Sequence, residues 1–141
     1  MEQTELQNKI LEIIDKYKTG VLATVEQGKP HSRYMTFYHE DLTLYTPTYK
    51  ETHKAEEINK NPYVHILLGY EGEGLDDLYV EVSGKAVLRE DRETKEKIWR
   101  ETMNRWFDGI EDPEYTVLEV HPENMRLMNK SGEPPQELEI N

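Results

Sequence analysis

The chain has 141 residues, 29 acidic against 17 basic side chains, a formal net charge of -12 and no cysteine. This length suits one compact domain, and the absence of cysteine excludes disulfides, thiol nucleophiles and thiolate metal sites. So acidic a surface repels nucleic acid, and no apolar run approaches the roughly 18 residues of a membrane span.

The elements are legible in chain order. Met1 to Glu5 is acidic rather than signal-like, so a soluble cytoplasmic protein is expected. Thr4 with Gln7 forms a capping-box pattern, and Leu6, Ile10, Ile13, Ile14 and Tyr17 recur at helical spacing, predicting a first helix that ends near Gly20. The period then changes. Val21 to Val25 is rich in branched residues, Gln27-Gly28 signals a turn, and His31 to Tyr38 alternates polar and bulky side chains. Leu42 to Thr46 makes a third short strand after the turn at His39-Glu40-Asp41, so an antiparallel meander is predicted.

A second helix is predicted over about Glu51 to Asn59, closed by Asn61-Pro62, followed by a strand over Tyr63 to Tyr70. Glu71-Gly72-Glu73-Gly74 reads as a turn, and Leu78 to Leu88 as a strand bent at Gly84. Asp91 caps a third helix whose Ile98, Trp99, Thr102, Met103 and Trp106 share a face. Two last strands, Thr116 to Val120 and Met125 to Met128, are separated by His121-Pro122. Residues 130–141 read as a mobile polar tail. The whole is a single domain over 1–141, mainly β with helices, its six or so antiparallel strands forming a closed or half-open barrel that removes exposed edges.

Charge is uneven along the chain. Between Lys29 and Lys54 four basic residues (Lys29, Arg33, Lys50, Lys54) face three acidic ones (Glu40, Asp41, Glu51), a net of +1 against -13 elsewhere. Within that segment, Leu44 to Lys54 reads as strand, short loop and helix start. A helix start beside a lysine suits a small anion such as a phosphate, and Arg33 on the neighbouring strand adds a fork-shaped cation. The competing reading is a capped surface helix with solvated lysines.

Gly20-Val21-Leu22-Ala23-Thr24-Val25 followed by Gly28-Lys29-Pro30-His31-Ser32-Arg33 resembles the opening of the pyridoxamine 5'-phosphate oxidase-like, FMN-binding split barrels. Within them the general stress protein 26-like group matches best. Tyr45-Thr46, Thr52-His53-Lys54-Ala55, Asn61-Pro62 and Gly84-Lys85-Ala86 follow in the family's order, so the resemblance covers roughly Leu11 to Met128. It implies a six-stranded antiparallel split β-barrel and a homodimer with two FMN sites at the subunit interface. By position, it implies that Arg33, Tyr34, Met35 and Thr36 line the flavin from the second strand, with Arg33 toward the phosphate. Tyr45 and Thr46 match a flavin-contacting pair. His53-Lys54 stands where the family commonly has Arg-Lys on the phosphate, and a histidine there makes the cation pH-dependent. Trp106 and Phe107 would close the site from the partner subunit, their alternative being core packing at helical spacing.

Departures from the true oxidase bear on the substrate. Tyr38, Tyr79 and Met128 stand where that enzyme has a lysine, a glutamine and a tryptophan. The residues that hold its substrate phosphate have no equivalents around Ile98 to Arg105, and an acidic tail replaces its arginine-rich end. The resemblance therefore implies a flavin-dependent oxidoreductase on a small molecule other than pyridoxamine phosphate, linked to the general stress response. The alternatives are a flavin or ligand carrier without turnover, and a structural dimer without cofactor. No catalytic residue stands out. His31, His39, His53 and His65 lack metal-ligand spacing, so no metal is expected, although His31, His65 or His121 offers a haem ligand as in some split-barrel relatives. Ser32 and Ser83 lack a triad context. Asp76-Asp77 reads as a solvated face, and Glu71 to Asp77 lacks the spacing of a calcium loop.

Overall fold

The computed structural model describes residues 1–51 and 55–140. Its elements are α1 (Gln3–Lys16), β1 (Thr19–Glu26), β2 (Lys29–Thr36), β3 (Tyr38–Glu40), β4 (Thr43–Tyr49), α2 (Ala55–Lys60), β5 (Tyr63–Leu68), β6 (Tyr79–Arg89), α3 (Arg92–Ile98), a 3-10 helix (Glu101–Arg105), β7 (Tyr115–Met128) and β8 (Gln136–Leu138). The strands form one antiparallel sheet in the order β2-β1-β5-β6-β7-β4-β3, with β8 added to β7.

Only Phe37 separates β2 from β3. One nearly continuous strand therefore lies at both ends of the sheet order, pairing first with β1 and then with β4. The sheet curls on itself as a split barrel. Counting β2 and β3 together gives the six expected strands, and β8 is a seventh that was not foreseen.

Side chains alternate between the two faces of each strand. Leu22, Leu44, Ile66, Val82, Leu118 and Leu127 fill the barrel, and α1 plugs it with Leu6, Ile10, Ile13 and Ile14. A second cluster lies outside the barrel wall, where α3 and the 3-10 helix cover Tyr45, Tyr115 and Val117 with Ile98, Met103 and Phe107.

Several local expectations are corrected. The Thr4/Gln7 capping box does not form, because α1 begins at Gln3 with Glu2 as a cap that makes no side-chain hydrogen bond. The third helix breaks into α3 and the 3-10 helix, since Trp99 and Arg100 adopt extended backbone between them. Its start is as predicted, Asp91 accepting from the Thr94 amide at 3.0 Å. The two last strands are one. Pro122 interrupts no ladder on the far edge, because β4 pairs with 115–120 and β8 with 125–127, leaving a gap between them. The bend at Gly84 is a register shift between Ser83 and Gly84; a Cβ on Gly84 would lie 2.4 Å from the His121 carbonyl oxygen.

The C-terminal segment, read as a mobile tail, instead carries β8 and buries Leu138 to 3% exposure. Gln3 fastens it to α1: its Nε2 donates to the Glu137 carbonyl at 3.2 Å, and its Oε1 accepts from the Glu139 amide at 2.8 Å. Among the described residues, no helix is long and apolar enough to cross a membrane.

Candidate functional site

The barrel opens where β3 begins, at Tyr38. β3 pairs with β4 only through Thr43 to Tyr45; from Thr46 onward β4 is paired with β7 alone among the described strands, and β2 with β1 alone. A cleft of about 340 Å³ occupies this split, within the range of roughly 300–1,000 Å³ for small-molecule sites.

One wall is Tyr34, Met35 and Thr36 of β2 with Thr19 of β1; the other is Pro47, Thr48 and Tyr49 of β4; Trp106 and Phe107 close the end. Pro47 is tolerated in this strand for a geometric reason. Lys50 donates its amide to the Glu114 carbonyl, on the side of β7, so by alternation the missing donor of Pro47 faces the split, where no ladder bond is lost. The closing segment is held by aromatic contact. Tyr49 donates its hydroxyl to the Trp106 carbonyl at 2.8 Å, and Phe107 packs on Tyr49 and Tyr115 with ring centroids 4.8 and 5.0 Å away.

Among the described residues no charged side chain lines this cleft. Tyr34 is 79% exposed and Trp106 41% exposed, so two aromatic faces are available at its mouth. Thr46, one residue before the lining, is fully buried and its Oγ1 has no hydrogen-bond partner. An unmet buried hydroxyl costs about 1–3 kcal/mol and is rare enough to require an explanation. The arrangement suits a flat, largely apolar ring system with polar edges that can use open strand backbone.

The sequence-predicted residues fall into three groups. Tyr34, Met35, Thr36, Trp106 and Phe107 come together in the cleft, the last two from the same chain as the first three, with Thr46 adjacent. Arg33 and Tyr45 do not line it. Arg33 donates to Thr24 Oγ1 at 2.8 Å and to Glu26 Oε1 at 3.2 Å. Tyr45 is buried in the outer cluster, where its hydroxyl accepts from Lys97 Nζ at 3.0 Å. That hydrogen bond, helped by Glu40, holds the Lys97 ammonium pKa above its usual value. His53 and Lys54 lie outside the described residues. Sequence reasoning missed Thr19, Pro47, Thr48 and Tyr49. A signal was present for Thr48 and Tyr49, which are β-type residues, whereas Pro47 before them reads as a strand break.

The four described histidines each have a carboxylate nearby. His31 lies 3.8 Å from Glu26, His39 3.1 Å from Asp15, His65 3.6 Å from Glu81 and His121 2.6 Å from Glu119. Among the described residues no group of three or more histidines and carboxylates could hold a metal. In the acidic loop Asp77 is structural, its Oδ2 accepting from the amides of Glu71 and Glu73 at 2.9 and 2.8 Å.

The family model described as pyridoxamine 5'-phosphate oxidase matches residues 6–129. General stress protein 26 of Bacillus subtilis (strain 168) is 56% identical over 140 residues, covering 99% of this chain and 100% of that protein. The crystal structure of the General Stress Protein 26 from Bacillus anthracis str. Sterne superposes with a TM-score of 0.82 at 39% identity, over 95% of this chain and 98% of that one. That of the general stress FMN/FAD binding protein from Xanthomonas citri does so with a TM-score of 0.75 at 20% identity, over 98% of each chain, a likeness of fold.

Proposed function

The chain belongs to the pyridoxamine 5'-phosphate oxidase family, and on that footing we propose that the cleft between β2 and β4 binds FMN. One observation carries this reading: the split leaves an aromatic-walled cleft bounded by strand edges, uncharged among the described residues, next to the unpartnered hydroxyl of Thr46. Met35, Pro47 and Trp106 would hold the flavin ring, with Thr36 and Thr46 available to its polar edge. Lys54 and His53, which follow β4 in sequence, would meet the phosphate, and Arg33 could join them on leaving Glu26. The FMN/FAD binding in the name of the Xanthomonas citri relative agrees with a flavin.

We further propose a homodimer with two such sites at the subunit interface, acting in the cytoplasm as part of a general stress response. Bound flavin would supply hydride or electron transfer to a small organic molecule. The chain's own residues would bind and orient the ring and exclude water from it. Pyridoxamine phosphate is not that molecule in this reading, because Tyr38, Tyr79 and Met128 replace the oxidase's residues.

A second reading, a flavin or ligand carrier without turnover, is favoured by the absence of any acid or base among the described residues that line the cleft. Turnover separates the two. Flavin reduced in the protein should be reoxidised faster by some member of a panel of quinones, nitro compounds and aldehydes than by air, whereas no acceleration supports the carrier. The FMN assignment is tested by titration. FMN should quench Trp106 fluorescence and raise the melting temperature, and Lys54→Ala should weaken FMN much more than riboflavin, which has no phosphate. Absence of any response to FMN overturns the assignment.

A further inference from the structure

We infer a light-driven activity: a chain of touching aromatic rings, Tyr49 and Phe107 through Tyr115 to Trp99, carries single electrons from the protein surface to an excited flavin in the cleft. The inference rests on the flavin reading above and adds to it a route for a reductant that never enters the cleft.

The chain has no gap. Tyr49 and Phe107 both line the cleft, and their ring centroids are 4.8 Å apart. Phe107 lies 5.0 Å from Tyr115, and Tyr115 lies 5.4 Å from Trp99, edge to face. All three separations are those of direct aromatic contact. Phe107 and Tyr115 are buried, whereas Trp99 is half-buried at the margin of the outer cluster. The path begins at a ligand cleft and ends at water.

Its far end is held rigidly. The Tyr115 hydroxyl and the Trp99 amide both donate to the Lys95 carbonyl, at 2.8 and 3.1 Å. There α3 stops, and Trp99 leaves the helix with its ring against Tyr115. Leucine at either position would supply apolar volume. Tyrosine and tryptophan add what leucine lacks, a ring that can give up one electron.

Protons decide where the resulting charge rests. A tyrosine that loses an electron becomes a strong acid and persists only if its proton leaves. The hydroxyls of Tyr49 and Tyr115 donate to the carbonyls of Trp106 and Lys95, and a peptide carbonyl is too weak a base to take that proton. Burial also holds the Tyr115 phenol well above its ordinary pKa. The Lys95 ammonium, 5.2 Å from the Tyr115 ring centre, adds a further cost to positive charge there. Tyr115 is a step and not a stop. Phenylalanine is harder still to oxidise, so Phe107 is a bridge between tyrosines. Trp99 is the resting place, because its ring reaches water and the oxidised indole can release its proton there.

The step balances as follows. The light-excited flavin is the oxidant and gains one electron; Trp99 loses one electron to it and one proton to water. A small one-electron reductant at the surface then returns the electron, and water returns the proton. Trp106 competes, since it lines the cleft itself, but a donor touching the flavin recovers its electron quickly. Charge moved on to Trp99 outlasts it.

The test is flash photolysis of the full chain with FMN bound, without oxygen and with protein in excess so that no free flavin remains. The chain has two tryptophans, so Trp106→Phe leaves Trp99 as the sole source of a tryptophan radical. In that variant the deprotonated tryptophan radical should form and decay slowly, and ascorbate in solution should remove it and leave the flavin reduced. Trp99→Phe in the same background should abolish the signal. Phe107→Leu and Tyr115→Phe in that background should each lower its yield several-fold. Tyr115→Phe keeps the ring, so it should fold even if Phe107→Leu does not; circular dichroism and FMN titration check each variant. Should Trp106→Phe lose FMN, Trp99→Phe alone must remove the slow component seen in wild type. If FMN binds and no tryptophan radical outlasts contact with it, the inference fails while the flavin reading stands. A yield unchanged by both Phe107→Leu and Tyr115→Phe overturns the path. A wild type that binds no FMN overturns the flavin reading itself, and this inference with it.

Discussion

The hydroxyl of Tyr49, at the end of β4, donates to the main-chain carbonyl of Trp106 at 2.8 Å. This one bond fastens the segment after the 3-10 helix to the edge of the split. It lets the barrel wall and the outer aromatic cluster share a cleft. Because Tyr49 also packs on Phe107, the ring and the hydroxyl can be tested separately.

Tyr49→Phe keeps the ring and loses the bond. It should cost about 0.5–1.5 kcal/mol of stability and weaken FMN modestly. Tyr49→Ala should weaken FMN far more, since it removes one wall of the cleft. Chemical denaturation and fluorescence titration of both variants check this.

Arg33 is engaged with Glu26 and Thr24. If it joins the phosphate on binding, Glu26→Gln should release it and tighten FMN without changing riboflavin. Equal effects on the two ligands would show that Arg33 stays on β1.

Asp91 joins α3 to the barrel, accepting from Thr94 and from Arg89, whose Nε is 2.8 Å away. The Arg89 hydrogen bond first, then that of Thr94, holds its carboxyl well below the usual carboxylate range. A depressed pKa adds stability that is present above the unfolded value near 3.9 and is lost as pH falls toward the folded one. Asp91→Ala should cost about 0.5–2 kcal/mol at neutral pH through the lost cap. Stability measured from pH 7 to pH 2 should fall less steeply at its acid end in this variant than in wild type.

Leu138 is buried although it lies three residues from the end of the chain. Leu138→Ala should cost about 2–5 kcal/mol, and Gln3→Ala, which releases Glu137 and Glu139, should cost less. If both variants melt at the wild-type temperature, β8 contributes nothing to the fold.

Much of this architecture was legible in the residues. Leu6, Ile10, Ile13 and Ile14 mark α1, Asp91 with Thr94 marks the cap of α3, and Gly84 marks the bend of β6. The errors share a cause, which is contact between residues distant in sequence. Pro122 reads as a break until the gap between β4 and β8 is known. Gln3 reads as part of a helix start until Glu137 and Glu139 arrive beside it. Nothing local signals the break at Trp99, whose ring packs against Tyr115 at 5.4 Å. The cleft was half legible. Tyr34 to Thr36 and Trp106-Phe107 followed from the family resemblance, whereas Tyr49 depends on β4 running past Thr46, and the pairing of Arg33 with Glu26 and Thr24 was not legible in the residues.

Phe37 is the single residue at which one strand passes from β1 to β4. Its amide is held by the Lys18 carbonyl at 2.6 Å, and its side chain is anchored in the core. A strand shared in this way couples the two ends of the sheet mechanically. Widening the split strains the β3–β4 ladder on the other side of the pivot. A ligand that fixes the split should therefore slow amide hydrogen exchange at Tyr38 to Glu40 and Thr43 to Tyr45, residues it never touches.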